Sequence, residues 1–418
     1  MKFFISILLI AALLAPYTAD AERLWSTGAE LNDITTAGTE FFLTSGAGCS
    51  IASTGQRSGS YTTRCTSAAS TRQGFVHQFQ SSSNAGPFYF RFYLYVDTAP
   101  NANNSIFVVS SGTSISSTAL VTLYMQSTRE LVLFLNGITV VGSPSAALNT
   151  GQWYRIEVMV DNTPAPGLHV VRALIDGTEF AGANDLTMGN YQAFRWGTNM
   201  LNSGSVSSGT FLFDDIAVNN TTGTAQTSYP GAGSIVHCHP NAAGDNAATA
   251  GLVGAIDEVT PNDATDFIEL DTDGGMTADY NIDAASTCGI DSYDTVNLVQ
   301  VGVRERAETV GAESWVLRVK SQASGTVTEG SATTHDDTTW RTNGDQTPQY
   351  NYRLTSYTDP QAGGSWTPSL LDTAQIGIRT TDGNPDVHVS TLWALVEYTD
   401  GGSPATPMDI TSGFILFE

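Results

Sequence analysis

The sequence predicts an all-β protein built as two tandem antiparallel β-sandwiches. Three observations carry this. Runs whose apolar residues alternate with period two fill both halves of the 418-residue chain. Only 14% of residues are charged, and Gly, Ser, Thr and Asn supply the polar surface, a composition poor for helices. Past the first residues, no apolar pattern of helical period exceeds about two turns.

The chain opens as a secretory signal should: Lys2, an apolar run over 3–14, then the small-x-small site Ala19-Asp20-Ala21. The run is too short to span a bilayer, and the expected mature chain starts at Glu22. Strand signals follow at 88–96, a long aromatic run, then at 105–109, 120–125 and 131–135. Asn136-Gly137 joins the last of these to 138–141, and Asp176-Gly177 joins 170–175 to 178–180. Both pairs tolerate positive φ and read as hairpin turns. Two runs close this half. In Trp153-Tyr154-Arg155-Ile156-Glu157-Val158-Met159-Val160, residues Tyr154, Ile156, Val158 and Val160 share a face. In Phe211-Leu212-Phe213-Asp214-Asp215-Ile216-Ala217-Val218, strict alternation puts Leu212, Asp214, Ile216 and Val218 together and leaves Asp215 to solvent.

The segment 219–233 has no apolar period and reads as a linker. A second strand set follows at 296–304, 315–320, 350–354, 374–379 and 392–398. The expected organisation is a signal at 1–21, a sandwich at 22–222, a linker at 223–233, a second sandwich at 234–399 and a flexible tail at 400–418. The tail ends in the hydrophobic run 413–417, expected to pair with a sheet edge of this chain or, by self-assembly, of a neighbour.

Four cysteines allow three pairings. The local one, Cys49 with Cys65 and Cys238 with Cys288, gives each sandwich one bridge, contributing about 3 and about 4 kcal/mol by loop-closure entropy. Net charge is −24, and no Lys or Arg lies between Arg195 and Arg304. Nucleic acid and anionic membranes, which need basic patches, are therefore not expected partners, and no stretch past the signal is apolar enough for membrane insertion.

Candidate binding residues are few. Tyr191, Arg195, Trp196, Asn199 and Asn202 combine aromatic, amide and guanidinium chemistry suited to sugar rings; the alternative makes Phe194 and Trp196 core residues of a strand. Asp214, on an apolar face, requires backbone N–H groups, an arginine or a cation. The acidic stretch Asp257, Glu258, Asp263, Asp266, Glu269, Asp271 and Asp273 reads as a solvated loop, a calcium loop or a glycosidase carboxylate set. His237-Cys238-His239 offers two metal-ligand imidazoles, although Cys238 is better used in a disulfide. No G-x-S-x-G, H-E-x-x-H, P-loop or dinucleotide fingerprint appears.

Leu24-Trp25-Ser26-Thr27-Gly28, Trp153-Tyr154-Arg155-Ile156-Glu157-Val158 and Phe213-Asp214-Asp215-Ile216-Ala217-Val218 resemble the strands of laminin-G-like, concanavalin A-like lectin domains, over roughly 22–222. The resemblance implies a jelly-roll sandwich that binds glycans or cell-surface proteins, sometimes with a structural calcium, in which Asp214 anchors the first strand or holds that ion. The second half, through Ile256-Asp257-Glu258-Val259 and Ser365-Trp366-Thr367, resembles sandwiches of bacterial and phage surface proteins. The expected function is that of a secreted, non-catalytic carbohydrate- or surface-binding protein. The alternatives are a structural subunit of a virion, appendage or matrix, and a polysaccharide hydrolase or lyase.

Overall fold

The computed structural model describes residues 23–33, 40–41, 43–45, 48–67, 72–81, 86–201, 207–222, 225–271, 275–343, 351–381 and 386–402. The signal expected at 1–21, the terminal run 413–418, Tyr350, Asp273 and Asn202 lie outside them. The first half contains β1 Arg23–Thr27, β2 Leu43–Ser45, β3 Cys49–Ala52, β4 Thr62–Thr66, β5 Gln73–Gln78, β6 Phe88–Thr98, β7 Asn104–Ser110, β8 Ala119–Met125, β9 Leu131–Leu135, β10 Thr139–Val141, β11 Trp153–Asp161, β12 His169–Ile175, β13 Thr178–Leu186, β14 Ala193–Thr198 and β15 Thr210–Asn219. The second contains β16 Ser234–Cys238, β17 Pro240–Ala243, β18 Ile268–Leu270, β19 Thr277–Ile282, β20 Thr295–Ala307, β21 Glu313–Lys320, β22 Thr328–Glu329, β23 Thr333–His335, β24 Arg341–Thr342, β25 Leu354–Ser356, the single-turn helix α1 Pro368–Leu371, β26 Gln375–Thr380 and β27 Val387–Thr399.

The first sandwich faces an eight-stranded sheet, β13-β12-β11-β6-β15-β4-β3 with β1 also on β15, against a seven-stranded sheet, β10-β9-β8-β7-β14-β5-β2. The second faces β16-β27-β20-β24, with β18 on β27 and β25 on β20, against β17-β19-β26-β21-β22, with β23 on β21. Every named ladder is antiparallel, so the all-β, two-sandwich expectation holds, with a jelly roll first. The hairpin turns form as expected: Asn136-Gly137 and Asp176-Gly177 sit at φ of 50° and 70°, and of 50° and 84°. Both local disulfides are present, and Cys49 faces Cys65 directly across β3 and β4.

Alternation decides the core. Phe88, Phe90, Phe92, Leu94 and Val96 of β6 and Tyr154, Ile156, Val158 and Val160 of β11 point inward. The phase expected for β15 is corrected. Phe211 and Phe213 point inward, then the register against β6 shifts between Asp214 and Ala217, and Ile216 and Val218 point inward. The bulge seats Asp214 and Asp215 side by side, and Asp215, expected in solvent, is wholly buried at φ 48°.

The sandwiches share one continuous interface. Leu298, Trp393 and Leu395 of the second half join the core of the first. Tyr352 N–H donates to the Leu24 carbonyl at 3.2 Å, and the Gln300 amide donates to the Arg23 carbonyl at 3.1 Å. At its centre Glu397 of β27 accepts from Arg23 of β1 and from Arg91 of β6 (2.9 Å), all three side chains being fully buried. Burial opposes the charge on Glu397, but the two guanidiniums outweigh it and hold the carboxyl down at about 2. Removing one partner of such a group strands charge in a low-dielectric interior. Glu397→Gln is expected to lower unfolding free energy by about 3–5 kcal/mol in a urea titration, whereas replacing all three residues by well-packed apolar ones costs far less.

Candidate functional site

The residues expected to form a sugar platform do not come together on the surface. The strand period explains why. In β14, Phe194 and Trp196 point between the sheets, where Trp196 packs on Phe194 (ring centroids 5.3 Å) and Phe75 (5.5 Å) and its Nε1 donates to Thr63. Tyr191 is buried among Phe79 and Phe88, and its hydroxyl donates to the Gly86 carbonyl at 3.0 Å. Asn199 is buried, its backbone N–H given to Asn104 and its side-chain amide to the Ser207 carbonyl. Arg195 points the other way, onto the outer face of the seven-stranded sheet, and is also buried.

Asp214 lies under the loop 55–60 rather than in the core. It accepts N–H groups from Arg57 and Asp215, both at 2.8 Å. Asp215 accepts from Arg57, Ser58 (2.5 Å) and Ile235 N–H (2.6 Å), tying the first sandwich to β16. Nearby Glu30 accepts N–H groups from Ser60 (2.9 Å) and Tyr61 (3.3 Å). Glu40 accepts from the Thr27 hydroxyl at 2.6 Å and faces His237 Nε2 at 3.6 Å. Among the described residues no group of three or more His, Cys, Asp or Glu is placed to hold a metal ion. Cys238 is spent on its disulfide, with His237 stacked on Trp393.

The acidic stretch of the second sandwich is dispersed. Asp263 pairs with Arg304 and accepts from Ser390. Glu258 neighbours Asp266, and burial together with that neighbour raises its carboxyl to about 7. Glu269 lies beside Asp386 and 3.9 Å from His388.

What strand phase does place together is the outer face of the eight-stranded sheet. The residues of β6 that alternate with its core phenylalanines are Tyr89, Arg91, Tyr93, Tyr95 and Asp97; those of β11 are Trp153, Arg155, Glu157 and Met159. Register sets Trp153 opposite Tyr95, Arg155 opposite Tyr93 and Glu157 opposite Arg91. Tyr95 and Trp153 are half-buried and form an aromatic pair with centroids 5.4 Å apart. One strand beyond β15, Arg64 of β4 is paired with Asp97 at 2.9 Å. Arg155 lies 3.2 Å from Glu157 and fits beside the turn at Gly177, where a Cβ would meet its guanidinium at 2.8 Å. Glu157 is closed off: it also accepts the Gly231 N–H at 2.9 Å.

The chain at 229–233 crosses this face and divides it. Gly233 N–H approaches the Tyr93 hydroxyl at 3.4 Å, and Arg57 lies over the Tyr93 ring at 3.5 Å. On the far side Tyr229 meets Tyr89 edge-on at 5.0 Å, near Arg172. Arg57 also lines a polar cavity of about 400 Å³ between the sandwiches, with Asp291, Tyr293, Asp294 and Tyr398. A larger cavity of about 670 Å³ in the second sandwich, lined by Asn241, Asn281, Gln322 and Asp372, contains no aromatic or cationic side chain. The open half of the face, with Tyr95, Trp153, Arg155 and Arg64, is the better candidate site. The signal for it was the strict alternation in Phe88-Tyr89-Phe90-Arg91-Phe92-Tyr93-Leu94-Tyr95, which separates the core row from the functional row.

No family profile and no curated protein matches the chain. Solved structures do. An endo-β-1,4-glucuronan lyase from the fungus Trichoderma reesei aligns at 12% identity and TM-score 0.38, over 48% of this chain and 96% of the lyase. The cellulose induced protein Cip1 aligns at 15% and 0.33, over 50% of this chain and 94% of its own. A Trypanosoma rangeli sialidase bound to sialic acid aligns at 11% and 0.30, over 41% of this chain and 27% of its own. Likeness at this level concerns the sandwich fold. The expectation of a non-catalytic binding protein is corrected at its site: Tyr191, Arg195, Trp196 and Asn199, offered as the sugar platform, are buried and present no surface to a sugar.

The buried acids give the protein a pH signature. Burial, the largest effect, raises Glu30 to about 8 and Glu40 to about 7, against the hydrogen bonds each accepts. A carboxyl with a higher pKa folded than unfolded adds stability in full below the unfolded value of about 4.5, and that stability is lost as pH rises through the folded value. Glu40→Gln is expected to flatten, relative to the parent chain, the part of the stability decline between about pH 4.5 and 7; denaturation midpoints across that range measure it.

Proposed function

We propose that the chain cleaves an acidic polysaccharide laid across the open half of this face, by β-elimination. The observation that carries the reading is the juxtaposition of a half-exposed aromatic pair, Tyr95 and Trp153, with two arginines, Arg155 and Arg64. Trp153 offers a flat apolar surface to a pyranose ring. The N–H donors that Arg155 and Arg64 keep beyond their pairs with Glu157 and Asp97 match a uronate carboxylate and stabilise the charge that develops when the proton beside it is removed. The Tyr95 oxygen takes that proton and passes it to the oxygen on the next carbon, whose bond to that carbon breaks as the electron pair of the C–H bond becomes the new double bond.

Hydrolysis is less well supported. It needs two free carboxyls about 5–5.5 or 6.5–9.5 Å apart, and on this face Glu157 is held by Arg155 and a backbone N–H, and Asp97 by Arg64. Two disulfides fit an oxidising compartment, in keeping with secretion as part of the proposal.

Incubation with uronate-containing polymers is expected to release products with the ultraviolet absorbance of a conjugated unsaturated uronate. Tyr95→Phe is expected to lower kcat about 10²–10⁴-fold, and Trp153→Ala to raise KM about tenfold, a loss of about 1.4 kcal/mol. New reducing ends without that absorbance would replace elimination by hydrolysis. No cleavage of any acidic or neutral polymer would end the reading.

A further inference from the structure

On the opposite sheet, two arginines stand together without a counter-charge. Arg195 of β14 lies between Val76 of β5 and Val108 of β7 on the outer face of the seven-stranded sheet, under the loop 111–118. It is fully buried. Its Nη1 donates to the Ile115 carbonyl and its Nη2 to the Ser117 carbonyl at 3.2 Å. Arg72 donates from its own Nη1 to the same Ile115 carbonyl, at 3.3 Å. Two guanidiniums thus converge on one oxygen. The Nε of each is buried and has no hydrogen-bond partner.

No carboxylate meets either group among the described residues. Composition deepens the point. The chain has 41 Asp and Glu, yet the stretches that build this place, 41–96, 98–129 and 186–213, contain none. Elsewhere the buried arginines of this fold are paired: Arg23 and Arg91 share Glu397, and Arg304 holds Asp263. A buried cation such as Arg195 is costly unless paired, and a second cation beside it raises that cost. Burial, then the neighbouring Arg72, lowers Arg195 to about 10, the direction a missing counter-charge produces.

We infer that Arg72 and Arg195 form an oxyanion-binding site for a carboxylate or sulfate group, reached from the half-exposed Arg72. The inference is independent of the reading of the eight-stranded sheet, because it uses neither its residues nor its chemistry. Guanidinium forks accept planar carboxylates and tetrahedral sulfate alike.

The test uses the full chain at constant ionic strength, with chloride as the reference anion. Sodium sulfate and sodium glucuronate are titrated by calorimetry, and the melting temperature is followed in each. Saturating oxyanion is expected to raise the melting temperature of the parent more than that of Arg72→Gln in the same salt, since a ligand of the folded state stabilises only the chain that binds it, whereas exclusion of sulfate from the surface stabilises both. Arg72→Gln is expected to weaken binding at least tenfold, and Arg195→Gln at least as much. Arg72 is half-exposed, so Arg72→Gln reports even if Arg195→Gln does not fold. A stronger response to glucuronate than to sulfate identifies a sugar acid as the ligand; the reverse identifies a sulfate ester or free sulfate. A rise no greater in the parent than in Arg72→Gln for both anions, or Arg72→Gln binding within twofold of the parent, would overturn the inference.

Discussion

The architecture depends on one buried carboxylate. Glu397 draws the guanidiniums of Arg23 and Arg91 together where the two sandwiches meet. Arg23 belongs to the first strand and Arg91 to the middle of the eight-stranded sheet. A single side chain from β27 therefore fixes β1, the rest of the first sandwich and the second in one arrangement. A hydrophobic interface alone would tolerate sliding; a charge that cannot go unpaired in a dry interior does not. Trp393 and Leu395, on the same face of β27, supply the apolar area around it.

That arrangement also shapes the candidate site. Because β16 and β27 dock beside the eight-stranded sheet, the connection at 229–233 must cross its outer face, where it caps Glu157 and Tyr93. What stays open is the end bearing Tyr95, Trp153, Arg155 and Arg64. The second sandwich thus decides which part of an extended aromatic and basic face a polymer can reach.

The distribution of charge follows a similar logic. The acids are abundant but unevenly placed, and the arginines of the first sandwich stand out against that background. On one sheet they lie beside aromatics at the surface. On the other, Arg72 and Arg195 sit in acid-free surroundings, which is why the two faces pose different chemical questions.

Much of this was legible in the residue order. The period of two in β6 and β11, the Asn-Gly and Asp-Gly turns and the local cysteine pairing required only steric and entropic rules acting within a few residues. Asp214 and Asp215 escaped those rules: a bulge inserts a residue, reverses the phase of everything before it, and depends on the neighbouring strand rather than on the bulged one. Tyr191, Trp196 and Asn199 looked like a polar, aromatic loop because type and spacing do not say which side of a strand meets the opposite sheet. The sequence by itself determined that the chain forms antiparallel layers with tyrosine and arginine alternating against phenylalanine. Only the tertiary structure decided which of those rows faces solvent, which arginines find an acid and where the linker lies, because each depends on surfaces brought together from positions up to 374 residues apart.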